Sequence, residues 1–127
     1  MKTRTPSILL IEDDPVVAKL IEHRLTKNQF RFERRNNGLD GLKAIRELSP
    51  DLVLLDVMLP SMNGLELLRQ IRSEKQIRDT RVIMLSASMK IKDKEKAFSY
   101  EAMDYVEKPF QTDELIIRIN KALAPVK

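Results

Sequence analysis

The stretch from Asp51 to Gly64, DLVLLDVMLPSMNG, constrains the fold more tightly than any other part of the chain. Leu52, Val53, Leu54 and Leu55 are consecutive apolar residues without alternation, the pattern of a strand covered on both faces in the interior of a parallel sheet. The run stops at Asp56, which puts a carboxylate at the strand's carboxyl end. In open α/β sheets that edge carries the ligand crevice, because the connecting loops diverge there. Pro60, Ser61, Asn63 and Gly64 form a turn, and Asn63 followed by Glu66 reads as a cap pair opening the next helix.

The same pattern repeats on either side. Ser7 to Ile11 (SILLI) is an apolar strand ending in Glu12, Asp13 and Asp14. Asp14 before Pro15 reads as the N-cap of a helix over residues 15–27, whose apolar positions Val17, Leu20, Ile21 and Leu25 recur at helical spacing. Residues 30–35 alternate weakly, through Phe30 and Phe32, and fit a short edge strand. Asn36, Asn37 and Gly38 make a turn into a second helix with Leu42, Ile45 and Leu48 inward, stopped by Ser49 and Pro50. A third helix carries Leu65, Leu68 and Ile71.

Val82 to Leu85 is the next fully apolar strand and ends at Ser86. Lys90 to Tyr100 is a helix with sparse apolar positions, expected to be the least firmly anchored. Asp104 to Glu107 gives a fifth strand before Lys108 and Pro109. Thr112 is expected to cap the last helix, with Leu115, Ile116, Ile119 and Leu123 facing the sheet. Strands alternating with helices through short loops predict right-handed βαβ units. The fold class is therefore α/β, with one doubly wound five-stranded parallel sheet and five helices on its two faces.

The 127 residues are expected to form a single domain, 1–127, with no linker, repeat or output domain among them. Charged residues make up 33% and hydrophobic ones 43%, the balance of a globular protein rather than a disordered one. The absence of cysteine excludes disulfides and thiolate metal sites. No apolar run approaches the ~20 residues of a membrane span, and MKTRTPS lacks the apolar segment of a signal peptide, so no membrane association and a cytoplasmic location are expected. The net charge of +4 does not imply nucleic-acid contact. The basic residues are dispersed, and the densest group, Lys90, Lys92, Lys94 and Lys96, is interleaved with Asp93 and Glu95 as on a solvated helix face.

In a parallel sheet, Glu12 and Asp13, Asp56, Ser86 and Lys108 all fall at one carboxyl edge. Any one of them alone reads as a cap, turn or solvated residue; together they define a crevice. Clustered carboxylates raise one another's pKa unless a cation lies among them, and hard oxygen donors without His or Cys favour Mg²⁺. Such a Mg²⁺ keeps water and phosphate oxygens as its other ligands, so a phosphoryl group is its natural companion. His23, the one histidine, sits mid-helix among charged residues and reads as a surface residue. Tyr105 reads equally as core filler or as a switch.

The stretches ILLIEDDP, DLVLLDVMLPSMNGLEL, VIMLSA and AMDYVEKPF, in this order and at this spacing, resemble the signatures of the response-regulator receiver domain of two-component signalling. The resemblance covers essentially the whole chain and implies the strand order 2-1-3-4-5. It implies that Asp56 is the phosphoacceptor and that Glu12 and Asp13 are the acidic pair. Asp13 is then the more direct Mg²⁺ ligand, joined by Asp56 and the backbone carbonyl of Met58. Ser86 matches the hydroxyl residue that meets the phosphoryl group, Lys108 the lysine that pairs with it, and Tyr105 the aromatic switch.

The implied activity is transfer of a phosphoryl group from a phosphohistidine onto Asp56, with intrinsic autophosphorylation and autodephosphorylation rather than turnover of an external substrate. The implied partners are a sensor histidine kinase or phosphotransfer protein, and a downstream effector or fused output domain. A homodimer through the fourth helix, fifth strand and fifth helix is also implied, with Lys94, Asp104, Glu114 and Arg118 as candidates for its ion pairs.

The chain departs from the family where many relatives read GADDY and it reads Glu101, Ala102, Met103, Asp104, Tyr105, and at Arg35, where a small residue is common. An Asp-nucleophile hydrolase would want a second Asp two residues after Asp56, where Met58 stands. A constitutive binding module with a dead pocket would be expected to have lost Asp13, Asp56 or Lys108, and all three are present. A dinucleotide-binding reading fails because Gly38, Gly41 and Gly64 form no G-x-G-x-x-G.

Overall fold

The computed structural model describes residues 5–87 and 90–124. The reading of MKTRTPS therefore lies partly outside it. Five strands alternate with five helices: β1 Ser7–Ile11, α1 Pro15–Lys27, β2 Arg31–Arg35, α2 Gly38–Leu48, β3 Leu52–Asp56, α3 Gly64–Ser73, β4 Val82–Ser86, α4 Ile91–Ser99, β5 Asp104–Glu107 and α5 Thr112–Leu123. All strand pairs are parallel, in the order β2-β1-β3-β4-β5. The central strands are the unbroken apolar runs, and every residue of β3 and β4 is buried. Each such aliphatic side chain contributes ~1.5–3 kcal/mol of transfer free energy.

The core has two layers, one on each face of the sheet. Leu9, Ile11, Val53, Leu55, Val82 and Met84 pack with α2, α3 and Ala97 of α4. Ile8, Leu10, Leu52, Leu54, Ile83 and Leu85 pack with α1 and α5 on the other face. The edge strand β2, RFERR, has no fully buried residue, and its arginines blunt the free edge. α4 buries only Ala97, in keeping with its sparse apolar pattern, and Phe98 is 49% exposed.

Local chemistry sets the helix starts. Asp14 caps α1, its Oδ1 accepting from Val16 N at 2.9 Å and Val17 N at 3.4 Å, with Pro15 in the first turn. Asn37 caps α2 and Asn63 caps α3.

Four local expectations are corrected. Thr112 is the first residue of α5, not its cap; Gln111 holds the cap position, and Thr112 Oγ1 instead accepts from Arg24 Nε at 2.8 Å. Asn63 acts without reciprocal help from Glu66, whose carboxylate pairs with Arg69. Leu48 is 44% exposed because it is the last residue of α2, where the chain turns through Ser49 at φ 46. Leu20 is 58% exposed: on α1 the buried stripe runs through Ala18, Ile21 and Leu25.

Candidate functional site

The parallel register carries four chain segments to one edge. Ile11 pairs with Leu55, so Glu12 and Asp13 leave β1 beside Asp56; Asp56 pairs with Leu85, so Ser86 stands one residue further on; Ser86 pairs with Glu107, which precedes Lys108. Glu12, Asp56 and Ser86 are the buried polar residues among those described. Ligand oxygens of Glu12, Asp13 and Asp56 lie within 4.8 Å of one another, with Asp13 on the solvent side. Hard carboxylate oxygens grouped in this way fit Mg²⁺ rather than a softer ion.

Lys108 closes the cluster. Its Nζ donates to Glu12 Oε1 at 2.6 Å and lies 3.5 Å from Asp56 Oδ2, with the lysine side chain 15% exposed. The other oxygen of Glu12 accepts from the backbone N–H of Asp14 at 3.2 Å. The Asp56 carboxyl is pushed up to about 7. Burial is the main cause and repulsion from Glu12 the next, while the Lys108 ammonium and the backbone N–H of Met58 pull the other way. One ammonium shared between two carboxylates leaves negative charge uncompensated, which is the electrostatic condition for taking up a cation.

Gly64 shapes the floor. Its N–H donates to the Val57 carbonyl at 2.7 Å, and a Cβ built on it would land on the carbonyl oxygen of Asp56. The backbone here approaches more closely than any side chain permits. Met58 follows at the rim with its side chain 67% exposed.

Tyr105 lies behind the pocket on β5, paired with Met84 and 7% exposed. Its ring is turned into the core, and its hydroxyl is buried without a hydrogen-bond partner. Lys94 Nζ sits 5.7 Å from the ring centroid and pairs with Glu107, so α4 is tied over this residue. Arg118 meets Asp104 at 2.6 Å and Glu114 at 3.0 Å. The charged residues suggested for an intermolecular set are thus paired within one chain here. His23 is exposed on α1.

Sequence reasoning missed two contributors. The backbone N–H of Asp14 serves Glu12 although Asp14 is also a helix cap. Arg34 places Nε and Nη2 on the carbonyl oxygen of Glu12, at 3.1 and 2.9 Å. Only the parallel β1–β2 register could have hinted at Arg34, since Leu10 is its partner.

A doubly wound α/β domain with an acidic pocket, a lysine and a hydroxyl residue at the carboxyl edge of its sheet is defined by these observations. The chain belongs to the response regulator receiver domain family, which it matches over residues 8–120. It is 42% identical over 116 residues to the uncharacterized transcriptional regulatory protein YkoG of Bacillus subtilis, covering 91% of this chain and 50% of that protein. It is 38% identical over 116 residues to the response regulator ArlR of Staphylococcus aureus, covering 91% of this chain and 52% of that protein. The chain thus spans about half the length of these relatives. Among solved structures, the receiver domain of a sensor histidine kinase from Pseudomonas aeruginosa superposes with a TM-score of 0.86 at 28% identity, covering 94% of this chain and 98% of that one. That structure has a magnesium ion coordinated in its active-site cleft.

Proposed function

We propose that the chain is the phosphoacceptor module of a two-component system, taking a phosphoryl group from a phosphohistidine onto Asp56. The observation that carries this reading is Lys108 Nζ between Glu12 Oε1 and Asp56 Oδ2, at 2.6 and 3.5 Å. It is a cation beside a buried carboxylate nucleophile, with hydroxyl and acidic groups at the same edge.

In the proposed reaction a carboxylate oxygen of Asp56 attacks phosphorus, the P–N bond to the donor imidazole breaks, and its electron pair leaves on the imidazole nitrogen. An acyl phosphate forms on Asp56. Asp13, Asp56 and the Met58 carbonyl would hold Mg²⁺, with Glu12 acting indirectly. When bound, the ion lowers the charge on the transferring oxygens. Lys108 offsets the negative charge that develops there, and Ser86 supplies a hydroxyl to the phosphoryl group. In the return step water attacks phosphorus in line, the P–O bond to Asp56 breaks, and inorganic phosphate leaves with Asp56 restored as the free carboxylate.

The donor would be a sensor histidine kinase or phosphotransfer protein. A hollow of about 280 Å³ beside Lys108, lined by Val17, Leu20, Pro109 and Phe110, suits an apolar contact with it. The new charge would draw Ser86 and Lys108 inward and bias the face of α4, β5 and α5, through Tyr105, toward a downstream effector or a fused output domain. A phosphorylation-dependent homodimer through that face belongs to the same reading.

The test is intact mass after incubation with acetyl phosphate and Mg²⁺, beside Asp56→Asn. A Mg²⁺-dependent gain of one phosphoryl group in the parent chain alone is expected. A folded parent chain that gains nothing overturns the reading in favour of a constitutive binding module.

A further inference from the structure

We propose that Arg34 is a positioning residue for the acidic pocket, holding the backbone of Glu12 so that Asp13 meets a divalent cation; this rests on the Mg²⁺-assisted reading above. Arg34 is half-buried near the end of the edge strand β2, two residues out of register with Glu12. Its Nε and Nη2 both donate to the Glu12 carbonyl, at 3.1 and 2.9 Å. From the neighbouring residue, the Arg35 carbonyl accepts the Glu12 N–H at 3.0 Å. Both main-chain polar groups of Glu12 are therefore fixed by consecutive residues of β2, while Lys108 and Asp14 N fix its carboxylate.

The Glu12 carbonyl belongs to the rigid peptide plane that ends at the Asp13 Cα, so orienting that carbonyl sets the direction from which the Asp13 side chain departs. Glu12 lies between the end of β1 and the start of α1. The guanidinium fork supplies its carbonyl with two charge-assisted bonds. A lysine would keep the charge but cannot reproduce the fork.

Charge and position make opposite predictions. As a bare cation near the site, Arg34 would repel Mg²⁺, and its removal would tighten binding; as a positioner, its removal would weaken binding. The experiment is a Mg²⁺ titration of the whole chain followed by NMR at the Asp13 amide, for the parent chain, Arg34→Gln, Arg34→Lys and the control Arg31→Ala at the far end of β2. The expected result is a dissociation constant about tenfold higher in Arg34→Gln, a clear increase in Arg34→Lys, and no change in Arg31→Ala.

Parent-like affinity in Arg34→Lys, or tighter binding in Arg34→Gln, overturns the proposal. In the parent chain the Arg34 Nε–H resonance should shift with the same midpoint as the Asp13 amide, and an unmoved Nε–H overturns it whether or not the variants fold. A parent chain with no Mg²⁺ response at Asp13 overturns the Mg²⁺ reading itself, and with it this one; the other outcomes overturn the role of Arg34 alone.

Discussion

Lys108 and Glu12 are in close polar contact within the pocket, 2.6 Å between Nζ and Oε1, with the Glu12 side chain 0% exposed. A lysine that the resemblance assigns to an incoming phosphoryl group is thus held by an acid of the resting site. It lies 3.5 Å from Asp56, near enough to change partner with little displacement.

Removing the ammonium should leave a buried carboxylate without its counter-charge. Lys108→Ala is expected to lower stability at neutral pH by about 3 kcal/mol in urea unfolding, because breaking one side of a buried pair costs more than deleting both. Adding Glu12→Gln to it should recover part of the loss, and the coupling follows from the double-mutant cycle. A loss in the double variant equal to the sum of the losses in the two single variants would show that the pair carries no coupling.

Asp56 predicts a pH dependence. Its folded carboxyl is raised to about 7 from an ordinary 3.8, chiefly by burial and then by Glu12. Between these values the folded chain binds more protons than the unfolded chain, so without metal its stability should fall as pH rises through that window. Asp56→Asn, neutral and nearly isosteric, should abolish this slope and stabilise the metal-free chain at pH 8 by roughly 2–4 kcal/mol. Thermal unfolding at pH 5 and pH 8 in chelator measures it; parallel pH profiles for the two chains would contradict it. Mg²⁺ should raise the midpoint of the parent chain at pH 8.

Much of this arrangement was legible because it depends on side-chain pattern. Leu52 to Leu55 and Val82 to Leu85, short apolar runs bounded by turns and alternating with helical patterns, suit interior parallel strands, and parallel strands bring Asp13, Asp56, Ser86 and Lys108 to one edge. Asp14 with Pro15 fixed the start of α1. What was not legible depends on choices among equivalent partners. Nothing in the order of residues says that Lys108 lies nearer Glu12 than Asp56, or that Thr112 accepts from Arg24 instead of capping α5. The bond from Arg34 ends on a backbone carbonyl, and every residue has one. Likewise, the inward ring of Tyr105 reflects packing by α4, whose pattern is too weak to reveal its pose.

Gly64 predicts a sensitivity with no side chain of its own. A Cβ there meets the carbonyl oxygen and carbon of Asp56 and the Cα of Val57, all backbone atoms that cannot swing aside. Gly64→Ala should therefore displace the β3–α3 turn and the nucleophile it follows. The expected loss is about 2–4 kcal/mol of stability, with phosphorylation from acetyl phosphate slowed beyond what the unfolded fraction explains. A variant that is both stable and fully active would mean the turn relaxes at little cost.

Glu101 stands where the resemblance to the GADDY stretch would set glycine, and it keeps the backbone conformation a glycine would suit, with φ 63. Its main chain is also engaged: the N–H donates to the Phe98 carbonyl at 2.9 Å, and the carbonyl accepts from Arg72 Nη2 at 3.1 Å. Arg72 also binds the carbonyls of Tyr100, Arg78 and Thr80, so the turn between α4 and β5 is held from outside while one of its residues is strained. A left-handed non-glycine residue costs about 1–2 kcal/mol, whereas glycine gives up somewhat less than that in unfolded-state entropy. Glu101→Gly should therefore stabilise the chain by about 0.5–1 kcal/mol, read as a higher urea midpoint at unchanged slope. Glu101→Ala, which keeps the Cβ and removes only the carboxylate, should leave the midpoint nearly unchanged. If Ala gains as much as Gly, the carboxylate rather than the backbone carries the cost.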